Sequence, residues 1–224
     1  MNTLFHHTHP YPPFNLEGAT KLIVGTLPPP RFTTKDLKPG DVDFSYGSID
    51  GQLWLILNRL FNLDLLFENS KEAIAQRHNF LKNRNIGICD VVASAKRAKI
   101  DASDLGMTDV ELRDLIYILK KYPNIKTLLF TGGNSKNGPE YFFRRLARTY
   151  SIKLKPVSSE VPRIHQFELP LEKGVRTIRT VSLTAPSGSA NRAVGSNMLY
   201  KKKKAENASY TTIDFRMEQY KPFF

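Results

Sequence analysis

Apolar residues in this chain alternate between short β-branched runs and stretches of helical spacing. Lys21-Leu22-Ile23-Val24 reads as a short buried strand ended by Gly25. After the Pro28-Pro29-Pro30 loop, Leu53, Trp54, Leu57, Leu60 and Phe61 recur at helical spacing, which predicts a helix from near Gly51. A second helix is predicted over Lys71 to Lys82 with Ser70 as its cap. Ile86 to Val92 reads as a buried strand. Thr108 to Glu111 fits a capping box ahead of Leu112, Leu115, Ile116 and Leu119, and Pro123 ends that helix. Ile125 to Thr131 reads as a third strand, broken by Gly132-Gly133. Pro139 suits the first turn of a helix reaching about Tyr150. Residues 163–169 and 175–183 read as two strands joined by a turn around Gly174, and a helix is expected from about Asn207.

Strand, loop and helix in repetition imply an α/β fold with a parallel sheet and helices on both faces. A ligand crevice then lies outside the carboxyl ends of the strands. Four loops leave those ends: 25–51, 93–104, 131–138 and 184–197. Residues 1–20 read as a polar, Pro-rich lead-in to one domain spanning 1–224.

Composition narrows the class. No apolar run approaches the roughly 20 residues that span a bilayer, and His and Pro occupy the place of a signal-peptide core, so a cytoplasmic protein is expected. A single cysteine, Cys89, excludes an intramolecular disulfide and reads as a buried, inert thiol. The formal net charge of +12 favours a polyanionic partner, nucleic acid before an anionic membrane; a solvated basic surface gives the same number. Walker A, GxGxxG, HExxH and GxSxG motifs are absent. His6, His7 and His9 lack a second ligand group at useful spacing, so neither a metal nor a cofactor is expected.

The loops carry a resemblance. His9-Pro10-Tyr11-Pro12-Pro13, Leu22 to Pro28, Phe44-Ser45-Tyr46-Gly47 and Trp54 resemble the opening of the hypoxanthine (deoxyinosine) DNA glycosylase branch of the uracil-DNA glycosylase superfamily. Gly87 to Ser94, Phe130-Thr131-Gly132 and Leu183 to Asn191 resemble its later segments, in order and each at a predicted strand end. The resemblance implies a three-layer α/β/α sandwich around a four-stranded parallel sheet. It also implies a monomer that releases a deaminated base, hypoxanthine or uracil, from DNA after flipping it into a pocket at the strand ends. In that branch a catalytic Asn stands where this chain has Gly51.

Base release without a covalent enzyme link needs a group to place water or favour the sugar cation, donors for the leaving base, and a platform for the extruded ring. Asp50 is the candidate for the first task, with Gln52 beside it; Asp50 equally suits an N-cap. Tyr46 or Phe44 offers a stacking face, or both fill a local cluster. Asp90 would accept hydrogen bonds from a base edge, or it caps the strand end or pairs with Lys96 or Arg97. Thr131 and Asn134 flank a turn that lines the pocket or serves only as a turn. Thr26 and Pro28, then Pro186, Ser187, Gly188, Ser189, Asn191 and Arg192, fall where the resemblance implies contact with the DNA backbone; an ordinary flexible Ser/Gly loop reads the same way. Lys96, Arg97, Lys99 and Lys201 to Lys204 are further phosphate contacts, or a solvated face.

Overall fold

The computed structural model describes residues 4–224. The chain begins with β1 (Phe5–Thr8), β2 (Lys21–Val24), α1 (Pro30–Thr34), α2 (Leu53–Phe61) and α3 (Lys71–Asn83). It continues through β3 (Ile86–Ile88), β4 (Val92–Arg97), β5 (Met107–Leu112), α4 (Leu115–Lys121), β6 (Thr127–Phe130) and α5 (Pro139–Thr149). It ends with β7 (Lys155–Ser158), β8 (Arg163–Pro170), β9 (Val175–Ser182), α6 (Asn191–Ser196), α7 (Met198–Glu206) and α8 (Thr212–Tyr220).

The fold is α/β, built on a mixed six-stranded sheet in the order β3-β2-β6-β9-β8-β7. The four strands β3, β2, β6 and β9 run parallel, and β8 and β7 add antiparallel at one side. The register sets Leu22 beside Leu128, and Ile23 beside Leu129, which in turn lies beside Val181. Alternation then sends Leu22, Val24, Leu128 and Phe130 to one face, where they pack with Leu115 and Leu119 of α4 and Phe142 and Phe143 of α5. Ile23, Leu129 and Val181 face the other way, onto Trp54 and Leu57 of α2, Leu81 of α3 and Tyr220 of α8. Both faces are buried, which is why these strands read as continuous apolar runs.

Several expectations are corrected. The sheet has six strands rather than four, because β8, turned back from β9 at Gly174 (φ 81°), and then β7 extend the four parallel strands in antiparallel pairing. Ile86 to Val92 is not one strand: β3 stops at Ile88, and β4 leaves to form a separate antiparallel sheet, β1-β4-β5. The lead-in therefore contributes structure. His6 and His7 pair with Lys96 and Ala95, and Phe14 bridges Ile88; residues 1–3 lie outside the described residues. The expected loop 93–104 is strand as far as Arg97. Thr108 to Glu111 lies in β5 rather than in a capping box, and Asp114 caps α4 by accepting from the Tyr117 N–H. A capping box exists at Thr211 and Asp214, where α8 begins. Lys201 to Lys204 lie in α7, which precedes Asn207, and the helix expected from about Asn207 is α8, starting at Thr212. Ser70 caps α3 as expected.

Candidate functional site

β2, β3 and β6 all end beside one another, and the chain leaving each must turn away. Asp90 directs that turn after β3. Its Oδ1 accepts the Gly25 N–H and the Tyr46 Oη–H, both at 2.6 Å, and its Oδ2 accepts from His9 Nε2 at 2.9 Å. The Tyr11 N–H donates to His9 Nδ1, which leaves Nε2 as the nitrogen that carries the proton. Asp90 is 5% exposed. Its partner is thus His9. Lys96 pairs with Asp109, and Arg97 is buried against His7 and the Ser103 carbonyl. Burial, then the neighbouring Asp90 charge, pushes the Tyr46 phenol well above its ordinary range, so it is a hydrogen-bond donor at neutral pH. A Cβ at Gly25 would collide with Tyr46 Oη, which fixes glycine at that strand end.

Tyr46 itself holds φ at 59°, a left-handed conformation rarely adopted by a bulky residue. The turn around it imposes this: the Val42 N–H donates to the Gly47 carbonyl and the Gly47 N–H to the Phe44 carbonyl. Asp41, fully buried, anchors the same loop. It accepts both Arg31 Nε and Nη2, together with the N–H groups of Lys38 and Ile49. Against the desolvation that burial imposes, these donors hold its carboxyl below the usual range. Arg31 then reaches Ser48 and, at 3.3 Å, Asp50.

A cavity of about 780 Å³ opens above these strand ends. Asp50, Gln52, Tyr46, Asp90 and Thr131 line it, as do Thr26, Pro28 and Pro186 to Ser189. The two loops that form much of its wall touch directly: Gly51 bridges Ser187, and the Gln52 N–H donates to the Pro186 carbonyl. Asp50 sits at the rim, 63% exposed, between Arg31 and Lys38. Gln52 begins α2 without capping it, and its Oε1 is buried with no hydrogen-bond partner.

Other expected residues lie elsewhere. Phe44 is 6% exposed and packs edge-on to Phe14 and His78, in the core rather than the cavity wall. Asn134 and Arg192 are exposed and do not line the cavity. Asn191 accepts from Arg216 Nη1. Lys203 pairs with Glu218, and Arg97 is buried, so neither is free for a phosphate. Among the described residues no group of His, Cys, Asp and Glu could hold a metal ion, and no helix is long and apolar enough to cross a membrane. Cys89 is buried, and desolvation pushes its thiol up to about 12.

Two residues of the site were not found by the sequence motifs. Arg216 of α8, fully buried, donates to the carbonyls of Ala185 and Ser187 and to Asn191, and so ties the 185–191 loop to the C-terminal helix. Asp104 lines the cavity from the β4–β5 loop. Desolvation pushes its carboxyl up to about 6, against the hydrogen bond from Thr26 and the Arg97 charge. Nothing in local sequence marks either residue, since each acquires its environment from distant segments. No protein-family model, curated protein or solved structure matches this chain, so the likeness to the uracil-DNA glycosylase superfamily rests on the sequence motifs alone.

Proposed function

We propose that this chain is a monofunctional DNA glycosylase that releases a deaminated base, hypoxanthine or uracil, from DNA, on a three-layer fold of the uracil-DNA glycosylase type. One observation supports this reading above the others. A single cavity at the carboxyl ends of the parallel strands gathers Tyr46, Asp50, Gln52, Thr131 and the 186–189 loop, in a chain of net charge +12. In this reading Asp50 favours positive charge at the sugar and Tyr46 offers a ring to the flipped base. The serine hydroxyls and backbone of residues 187–189 meet the phosphates.

A second reading has its own support. Gly51 has no side chain to orient water, and the Asp50 carboxylate is shared between Arg31 and Lys38 at the rim. The chain is then a nucleic-acid-binding protein with little or no catalysis. End-labelled duplexes carrying uracil, hypoxanthine or xanthine, followed by alkaline cleavage, separate the two. Cleavage at one lesion supports the enzyme and identifies its base; tight, salt-sensitive binding without cleavage supports the binding protein.

A further inference from the structure

Asp104 opens a 3₁₀ turn, Asp104–Gly106, that leans over the cavity from the β4–β5 loop. Its position is fixed from two sides. Thr26, just past β2, donates its hydroxyl to Asp104 Oδ1 at 2.8 Å, and Asn137, before α5, donates Nδ2 to the Asp104 carbonyl at 2.9 Å. The second carboxylate oxygen accepts no hydrogen bond from the described residues, and the half-buried side chain presents it to the cavity. No cation bonds this carboxylate. Arg97, whose charge acts on this carboxyl, spends Nε on His7 and Nη1 on the Ser103 carbonyl, with Asp101 a further 3.8 Å neighbour of that nitrogen. The other charged groups facing the cavity here are Asp90, already bonded to His9, and Lys136 from the loop after β6. Enclosure and the Asp90 charge both favour the protonated form of Asp104.

The site thus holds two acids in unlike settings: Asp50, exposed and paired with two cations, and Asp104, half-buried with no cation bonded to it. Such a contrast is the usual basis for dividing acid and base roles between two carboxyl groups. We propose that Asp104 is the general acid of this site, giving its proton to a ring nitrogen of a purine base as that base leaves the sugar. The proposal rests on the base-releasing reading above.

The step balances without a further reagent. The C1′–N9 bond breaks and its electron pair stays on the base; the Asp104 O–H proton passes to N3 or N7, so the base departs neutral. Water then adds to C1′, and the proton it sheds returns to the Asp104 carboxylate. A purine offers a ring-nitrogen lone pair for this transfer. Uracil offers none, its N3 being an N–H, and so gains little from the acid. The substrate class assigned here is therefore the purine lesion, hypoxanthine before uracil.

The test is single-turnover base release from hypoxanthine and uracil duplexes across about pH 5 to about pH 8, for the wild type, Asp104→Asn and Asp104→Glu. Wild-type release of hypoxanthine should fall about tenfold per pH unit above about 6. Asp104→Asn should lower it ~10²–10⁴-fold and remove the pH slope, while Asp104→Glu restores the slope in part. Binding of the hypoxanthine duplex by Asp104→Asn at pH 7 should stay as in the wild type. A ¹³C-detected titration of the wild-type carboxyl provides a readout that needs no variant, and a midpoint in the ordinary aspartate range overturns the proposal. A flat wild-type profile, or an unchanged slope in Asp104→Asn, overturns the role of Asp104 and leaves base release standing. A wild type that releases neither base overturns both.

Discussion

Replacing Asp104 by Asn should make this protein more stable, and only above a defined pH. Burial raises the Asp104 carboxyl from 3.8 to about 6 in the folded chain. The native state therefore binds the proton more tightly than the unfolded state does. Stability is unaffected below the unfolded value, falls as pH rises from about 4 to about 6, and stays reduced above that window. A rise of about two pH units corresponds to ~3 kcal/mol at ~1.4 kcal/mol per unit. The side chain keeps some exposure to the cavity, so ~2 kcal/mol is the expected gain at about pH 8. Asparagine preserves the shape and the oxygen that accepts from Thr26, and it removes only the ionisation. Urea unfolding of both proteins at about pH 4 and about pH 8 measures the effect, since urea leaves charges unscreened. Near-equal stability at the lower pH and a more stable variant at the higher one is the expected result. A pH-independent difference, or a less stable variant at about pH 8, would refute the reasoning.

Other predictions follow from the same geometry. Tyr46→Phe removes one of the donors on buried Asp90 and should cost about 1.5–3 kcal/mol, read from chemical denaturation. Arg216→Met strips the donors from the Ala185 and Ser187 carbonyls; it should cost about 2–4 kcal/mol and speed proteolysis within residues 184–191, with cleavage sites read by mass spectrometry. If α7 meets phosphates, changing both exposed Lys201 and Lys202 to Gln should reduce the slope of log Kd against log salt by about 2 on duplex DNA, measured by fluorescence anisotropy.

The parallel strands were legible because both of their faces are buried, so Leu22-Ile23-Val24 and Leu128-Leu129-Phe130 carry no polar interruption. The small antiparallel sheet was not. Met107 to Leu112 mixes polar, exposed residues with apolar ones, and it becomes a strand only by pairing with β4. In the Ile86–Val92 run the strand end at Asp90 was legible, and its carboxylate does capture the Gly25 N–H; the departure of the chain after it into a second sheet was not. Tyr46 and Phe44 illustrate the limit of loop reading, because two rings two residues apart divide between cavity and core according to a single left-handed turn. Asp41, Asp104 and Arg216 escaped notice for one shared reason. Their roles come from enclosure by segments far away in the chain, which no local pattern encodes.

The most direct test of base release compares the wild type with Asp50→Ala on hypoxanthine and uracil duplexes in single-turnover assays. The account predicts alkali-labile sites at a lesion with the wild type and none with Asp50→Ala, while both proteins bind the duplex. Equal rates in the two proteins would contradict the role given to Asp50, and binding without release by the wild type would contradict the enzyme itself.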